Sequence, residues 1–355
     1  MKIRQYKDKV SKPISYDEDN LGFGKVFTDH MFEMEYDEIK GWHNPRIVKY
    51  HSLVLRPECM VFHYAQEIFE GLKVYRCQDG TVNMFRIDAN AKRFYDSAVR
   101  MGIPPIEEKD FIEAVSALAA REKDWVPYKA GNSLYLRPFI IATDNGLGVH
   151  AAHSYSFFII ASPSGAYFKS GLKPVRIYVE DEEIRSAPGL TGFAKCGGNY
   201  AISIKAGEYA KKNGFNQVLW LDGVEHRYVE EVGSMNIFFK IEGKIYTAAC
   251  TGTVLPGVTR SSVIELCREY GYEVIEGKLA IEEIMEKGRQ GKVEEIFGTG
   301  TAAVISPVGE LFYKGESIIV NDMKTGELSL KLFDELTGLQ WGRYPDRNGW
   351  VYKIC

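Results

Sequence analysis

The chain has no C-x-x-C pair, no long apolar run, no basic surplus, and neither a G-x-x-x-x-G-K-[ST] nor a G-x-S-x-G motif. Each absence removes a class of function. Without a phosphate loop or a nucleophile elbow, nucleoside triphosphate hydrolysis and serine-hydrolase chemistry have no anchor. The six cysteines, Cys59, Cys77, Cys196, Cys250, Cys267 and Cys355, are scattered without zinc-ligand spacing, which reads as reduced thiols in a reducing compartment. The longest apolar stretches, such as Tyr155–Ala161, fall far short of the roughly 20 residues that a membrane helix needs, so no membrane partner is expected. A formal net charge of −4 gives no electrostatic footprint for nucleic acid. The first residues, Met1-Lys2-Ile3-Arg4-Gln5-Tyr6, carry no apolar core of a secretory signal, and a cytoplasmic location is the expectation.

What is present is the composition of a globular enzyme. With 355 residues, 45% hydrophobic and 26% charged, the chain is long enough for two domains with substantial cores. Strand-like alternation runs from Gly24 through Val26, Thr28 and His30 and recurs around Leu53-Val54-Leu55. Asp79-Gly80, between Lys73–Tyr75 and Val82–Phe85, signals a hairpin. Helical periodicity covers Ala89–Val99 and Asp110–Arg121, with Phe111, Val115, Leu118 and Ala119 on one face, and apolar strands follow at Ser133–Ala142 and Tyr155–Ser162. Turn residues then predict an interdomain linker over 165–174, dividing a small N-terminal α/β domain, 1–164, from a large C-terminal cofactor-binding domain, 175–355. Beyond it the pattern predicts a helix over Asn199–Lys212, strands at Gln217–Leu221, Ser234–Lys240 and Lys244–Thr247, and a helix from about Arg260 to Tyr270. Strands at Glu294–Phe297 and Ala302–Ile305 flank a Gly-Thr-Gly-Thr turn, and a final helix covers Glu327–Leu336. Interspersed strands and helices make the fold class α/β, or mixed α+β, in two domains.

Three clusters carry chemistry. Lys195 lies in Phe193-Ala194-Lys195-Cys196-Gly197-Gly198-Asn199-Tyr200, boxed by glycines and apolar residues that disfavour an ammonium, as in Schiff-base lysines. Taken alone, any one lysine of the chain is an ordinary surface residue. Glu231, in Glu231-Val232-Gly233-Ser234-Met235-Asn236, precedes an apolar strand where a buried carboxylate needs a partner, and a protonated pyridine nitrogen would be one. Its neighbour Glu230 reads as a solvated strand-end acid. Gly257-Val258-Thr259 opens a helical run, so Thr259 is placed as an N-cap beside amide groups suited to a phosphate, and Arg93 could add a charge-assisted contact. Gly298-Thr299-Gly300-Thr301-Ala302-Ala303 matches a dinucleotide-binding G-x-G-x-x-A. Val304-Ile305-Ser306-Pro307 continues as strand where that motif demands a helix, so dinucleotide binding is rejected. The small-residue turn instead offers amides and hydroxyls to an anion. His150 and His153 are spaced like a metal pair but no second cluster joins them along the chain, so they read as loop histidines and no metal is expected.

These residues resemble the branched-chain amino acid aminotransferases, pyridoxal phosphate enzymes of fold type IV. The run from Glu231 through Asn236-Ile237-Phe238, Ile245-Tyr246-Thr247 and Leu255-Pro256-Gly257-Val258-Thr259-Arg260 fits the class IV pattern without a break. Further likeness lies in Gly24–Met31, Phe69-Glu70-Gly71-Leu72-Lys73, Leu134-Tyr135-Leu136-Arg137-Pro138 and Tyr313-Lys314-Gly315-Glu316, so it spans nearly the whole chain and leans toward the longer form that includes the animal enzymes.

The resemblance implies pyridoxal 5′-phosphate held between the two domains. Lys195 would be the Schiff-base lysine, Tyr200 would bond the ring oxygen, Glu231 the ring nitrogen, and Arg93, Val258, Thr259 and Thr299 the phosphate. Ser234, Thr301 and Ala302 would take the substrate α-carboxylate, and Phe23, Phe69, Gly71, Tyr135 and Tyr167 would line a pocket for the branched side chain, with Arg137 toward the γ-carboxylate of glutamate. A homodimer partner would lend Tyr64, Leu147 and Val149. Ala303 and Ser306 stand where the animal enzymes carry a C-x-x-C pair, so no thiol–disulfide regulation is expected there. The implied reaction passes the amino group of leucine, isoleucine or valine to 2-oxoglutarate. The Lys195, Glu231 and phosphate parts alone would also suit a D-amino-acid aminotransferase or an aminodeoxychorismate lyase of the same fold, and a non-catalytic coenzyme-binding protein is the rival of another class.

Overall fold

In the computed structural model, which describes residues 1–6, 16–165 and 172–354, Asp79-Gly80 turns the strand Leu72–Arg76 back into Val82–Phe85. The Asp79 carboxylate accepts hydrogen bonds from the Thr81 amide and hydroxyl, and Gly80 takes a φ of +85° that side chains avoid. Around this hairpin grows a mostly antiparallel sheet. Its strand order is Arg4–Gln5, Gly41–Lys49, His30–Asp37, Ser154–Ser164, Ser133–Ala142, Leu72–Arg76, Val82–Phe85 and Val351–Lys353, with Glu67–Phe69 pairing to Ser133–Ala142. The helices Ile87–Arg100 and Glu108–Arg121 bury their apolar stripes in the same core. Phe94 sits 4.9 Å from Phe111 and 5.5 Å from Phe157 of the sheet, ring centre to ring centre. The periodicity over Phe111, Val115, Leu118 and Ala119 thus marks the buried face.

The chain divides into two compact units. The first comprises Met1–Tyr167, Ala194–Gly197 and Gly338–Cys355; the second comprises Phe168–Phe193 and Gly198–Thr337. The strip Ala194–Gly197, with Lys195, therefore belongs with the N-terminal sheet, and Cys196 is part of its apolar core. Residues 166–171, within the expected linker, lie outside the described residues, as does Tyr167.

In the second unit six strands pair in a closed path: Val229–Val232, Gln217–Leu221, Val175–Glu180, Val304–Tyr313, Val293–Gly300, Met235–Ile241, and back to Val229–Val232. Closure leaves no unpaired edge in that ring. Lys244–Ala248, Val274–Gly277 and Glu316–Ile319 extend it outward. Val179, Leu219, Val232, Ile237, Ile296 and Leu311 share its core, while Trp220 packs with Ala206, Ala210 and Phe215 on the helix side. The fold is mixed α/β, and among the described residues no helix is long and apolar enough to cross a membrane.

Several expectations change. The stretches 24–28 and 53–55 are not strands, because Gly22 and Gly24 take positive φ and Leu53 and Val54 stay exposed, leaving no face to bury. The helix expected over Asn199–Lys212 is split into Gly198–Ala201 and Ser203–Lys212, where the Ser203 hydroxyl donates to the Tyr200 carbonyl and competes with the helical ladder. The last helix runs to Gln340, and a short strand, Val351–Lys353, follows it and pairs with Val82–Phe85. That strand is too short for alternation to reveal. The hairpin Val293–Gly300 to Val304–Tyr313 places Gly298 and Thr299 inside a strand, with the turn at 301–303. A strand rather than a helix follows the G-x-G-x-x-A, as the sequence requires.

Phe94→Ala should lower the unfolding free energy by about 3–5 kcal/mol in urea denaturation, since it empties the centre of the aromatic cluster. Val99→Ala on the exposed side of the same helix should change it by no more than about 0.5 kcal/mol.

Candidate active site

The residues expected to act together fall into one group in each unit. In the first unit, Lys195 is held through its backbone: its amide donates to Ser97 Oγ at 3.0 Å and its carbonyl accepts from the Phe69 amide at 2.9 Å. Its Nζ lies 4.9 Å from the centre of the Phe69 ring. The amide of Gly197 donates to the Glu67 carboxylate. Burial pushes Glu67 up, against the opposing pull of that amide and of Arg137.

Beside this strip Glu70 is fully buried. It accepts from Arg93 Nε at 2.6 Å and Arg93 Nη2 at 2.9 Å, from Asn90 Nδ2 at 2.9 Å and from the Gly71 amide at 2.8 Å. Burial alone would raise its pKa, but the charge and hydrogen bonds of Arg93, with the charge of Lys195, hold it below the usual glutamate range. The two-point contact fixes the plane of the Arg93 guanidinium.

Phe69, Tyr135 and Arg137 form one wall. The Arg137 guanidinium sits 4.7 Å over the Phe69 ring, and its Nη2 donates to the Tyr135 hydroxyl at 3.1 Å. Phe23, half exposed, meets Tyr135 edge-on at 4.8 Å. A side chain at Gly71 would run into the Tyr135 hydroxyl, so the glycine is what lets the tyrosine lie there. Elsewhere in this unit, Tyr64 donates its hydroxyl to the carbonyl of Leu147, and the side chains of Leu147 and Val149 stand exposed on the loop before Ser154–Ser164.

In the second unit, Gly233-Ser234 makes a two-residue hairpin turn with Gly233 at φ +56°, which sets Glu231 opposite Asn236. Asn236 in turn pairs with Thr299 on the next strand. Directly paired residues face the same side of a sheet, so Glu231, Asn236 and Thr299 form one row. Glu231 is 2% exposed. Arg185 Nη1 lies 2.6 Å from its Oε2, and Asn236 Nδ2 donates to its Oε1 at 3.1 Å and to the Leu255 carbonyl at 2.9 Å. A Cβ at Gly257 would strike Asn236 Oδ1, so the chain can pass there only as glycine.

Gly257 is the N-cap of the helix Val258–Glu269, and no side chain caps it. Thr259 therefore stands in the first turn instead of at the cap, and the first-turn amides of Val258 and Thr259 have no capping side chain. Thr299 Oγ1 is buried without a hydrogen-bond partner. A buried orphan hydroxyl, an uncapped helix start and a buried acid in one unit suit an anionic, nitrogen-bearing ligand. Thr301 and Ala302 are half-buried in the turn before Val304, whose φ of +62° is a strained value for a β-branched residue. Ser234 is exposed at its hairpin tip, and Tyr200 is half-buried on the short helix Gly198–Ala201.

The amino-transferase class IV family model matches residues 67–311. The chain belongs to the class IV aminotransferases. It is 51% identical over 347 residues to branched-chain-amino-acid aminotransferase 2 of Bacillus subtilis, covering 98% of this chain and 95% of the relative. It is 46% identical over 338 residues to the branched-chain-amino-acid aminotransferase of Mycobacterium tuberculosis, covering 94% and 92%. Among solved structures, the Escherichia coli branched-chain amino acid aminotransferase superposes with a TM-score of 0.77 at 27% identity, over 92% of this chain and 99% of that one. A thermophile's branched-chain amino acid aminotransferase, solved with pyridoxamine 5′-phosphate, gives 0.75 at 26% identity, over 91% and 98%. The branched-chain aminotransferase resemblance read from the sequence holds along the whole aminotransferase chain.

Sequence reasoning missed the partners that hold this aminotransferase's charged groups. Arg185, Glu70 and Asn236 are remote from, or unremarkable beside, the residues they pair with, and no spacing rule connects position 185 to position 231. Glu230 is a correction. It is buried instead of solvated, with Oε1 accepting from the Thr253 hydroxyl at 2.5 Å. Burial, reinforced by the charge of Glu231 and opposed by Thr253 and Arg185, pushes its pKa up to about 7. An unfolded glutamate titrates near about 4.3, so the stability Glu230 contributes is full below that pH and is lost as pH rises through about 7. The unfolding free energy should therefore fall more between about pH 5 and about pH 8 in the wild type than in Glu230→Gln, measured by urea denaturation.

Proposed function

We propose that the chain is a pyridoxal 5′-phosphate-dependent branched-chain amino acid aminotransferase. It passes the amino group of L-leucine, L-isoleucine or L-valine reversibly to 2-oxoglutarate, giving the branched 2-oxo acid and L-glutamate. The observation that carries this reading is the 51% identity to a branched-chain enzyme over 98% of the chain. The coenzyme supplies a carbonyl carbon to receive the amine and a ring that withdraws electrons from the substrate Cα.

The residues of this chain then have definite tasks. Lys195 Nζ holds the coenzyme covalently and, once the substrate displaces it, removes the Cα proton and returns it on the other side of the reaction. Glu231, oriented by Asn236 and Arg185, receives the ring nitrogen, and Tyr200 the ring oxygen. Arg93, the amides of Val258 and Thr259, and the Thr299 hydroxyl take the phosphate, in keeping with the uncapped helix start and the orphan hydroxyl. Ser234 and the backbone of Thr301 and Ala302 take the α-carboxylate.

The branched side chain lies against Phe23, Phe69, Gly71 and Tyr135, whose aromatic surface favours apolar over polar amino acids. Arg137, stacked on Phe69, turns to the γ-carboxylate of glutamate, which lets one pocket take both substrates. One methylene is worth only about 1–3 kcal/mol in such a pocket, so all three branched substrates react. We further propose a cytoplasmic homodimer in which a second copy lends Tyr64, Leu147 and Val149, whose exposed apolar side chains suit a contact between copies.

Adding L-leucine to the purified holoenzyme should bleach the coenzyme's near-visible band and release the branched 2-oxo acid, while D-alanine should leave the band unchanged. Lys195→Ala should lose turnover by several orders of magnitude. Reaction with D-alanine and not L-leucine would replace the reading with a D-amino-acid enzyme, and pyruvate release from aminodeoxychorismate would replace it with the lyase.

A further inference from the structure

The loop that joins Ser133–Ala142 to Ser154–Ser164 brings Asp144, His150 and His153 together. One donor atom from each lies within 4.8 Å of the others. The sequence left His150 and His153 as plain loop histidines because nothing acidic stands beside them. The fold supplies the acid by closing the loop: the His153 amide donates to Asp144 Oδ2 at 2.9 Å, and the Ser154 amide to Asp144 Oδ1 at 2.8 Å.

The two imidazoles are prepared in the same way. His150 Nδ1 lies 2.8 Å from the Ala151 carbonyl, and His153 Nδ1 lies 2.9 Å from Glu38 Oε1. A neutral ring bonded so must carry its proton on Nδ1, which leaves the Nε2 lone pair for a ligand. Histidines that bind metals are oriented by this kind of carbonyl or carboxylate contact on the far nitrogen. The rings are stacked with centres 5.2 Å apart, so both lone pairs leave the same side of the loop. The Asp144 carboxylate is held in its ionised form despite partial burial, chiefly by the His153 and Ser154 amides and the Ser154 hydroxyl.

We propose that Asp144, His150 and His153 form a binding site for a divalent transition metal of the zinc class, with water as the fourth ligand. Two imidazoles and one carboxylate are the donor set such ions take, and the hard ions magnesium and calcium, which demand oxygen donors, are disfavoured. Ligand atoms around tetrahedral zinc are about 3.4 Å apart, given bonds of about 2.1 Å, so the exposed histidines need to close by about an ångström. The metal ties residue 144 to residues 150 and 153, and so stiffens the loop tip that presents Leu147 and Val149.

The test uses untagged holoenzyme in a Cys250→Ser background, which removes the exposed thiol. After chelator treatment and desalting, zinc chloride is titrated by calorimetry. One zinc per chain is expected, with affinity at least about tenfold weaker in His150→Ala, His153→Ala and Asp144→Asn. Glu38→Gln, which touches no metal, should weaken binding by about 10- to 100-fold through His153 alone. Cobalt in place of zinc should give the visible absorption of a tetrahedral site, lost in the two histidine variants. Binding below one zinc per chain, or binding that survives the His150→Ala/His153→Ala double variant, would overturn the proposal.

Discussion

A carboxylate taken out of water must find positive charge, and this chain meets that demand twice with an arginine the sequence does not advertise. Glu70 is locked to Arg93 by two hydrogen bonds in the first unit, and Glu231 to Arg185 in the second. A buried pair is a weak source of stability, because desolvating two ions costs about as much as their attraction returns. What it supplies is position. Breaking either pair would leave a buried charge alone, so both partners are confined to one arrangement, and that arrangement aims Arg93 and Glu231 at whatever they bind.

The backbone around each pair follows the same logic. Gly71 admits Tyr135, Gly257 admits Asn236, and Gly233 makes the tight hairpin that sets Glu231 opposite Asn236. A closed ring of six strands then carries the row from Glu231 to Thr299 with no free edge to shift its register. The helix start at Gly257 adds amides that no side chain caps. Rigidity at these points is what a preorganised site requires, since donors that need not reorganise stabilise charge most effectively.

Much of this was legible in the residues. The Asp79-Gly80 hairpin, the amphipathic face of Glu108–Arg121 and the strand after Gly298–Ala303 follow from local chemistry, and the clusters at Lys195, Glu231 and Gly257 mark the coenzyme enzyme. Long-range pairings were not legible. Nothing local ties Arg185 to Glu231, Asp144 to His150 and His153, or Lys195 to the N-terminal sheet. Glu230 misled for a related reason: next to another acid it reads as solvated, and only the ring closing over it makes it buried. The weak strands expected at 24–28 and 53–55 failed because alternation without burial is not a strand.

The central claim is that Lys195, and no other amine, carries the coenzyme. Borohydride reduction of the pyridoxal phosphate holoenzyme followed by peptide mapping measures this directly. The phosphopyridoxyl label is predicted on the peptide containing Phe193-Ala194-Lys195-Cys196. A label confined to another lysine, such as the buried Lys73, would contradict the account.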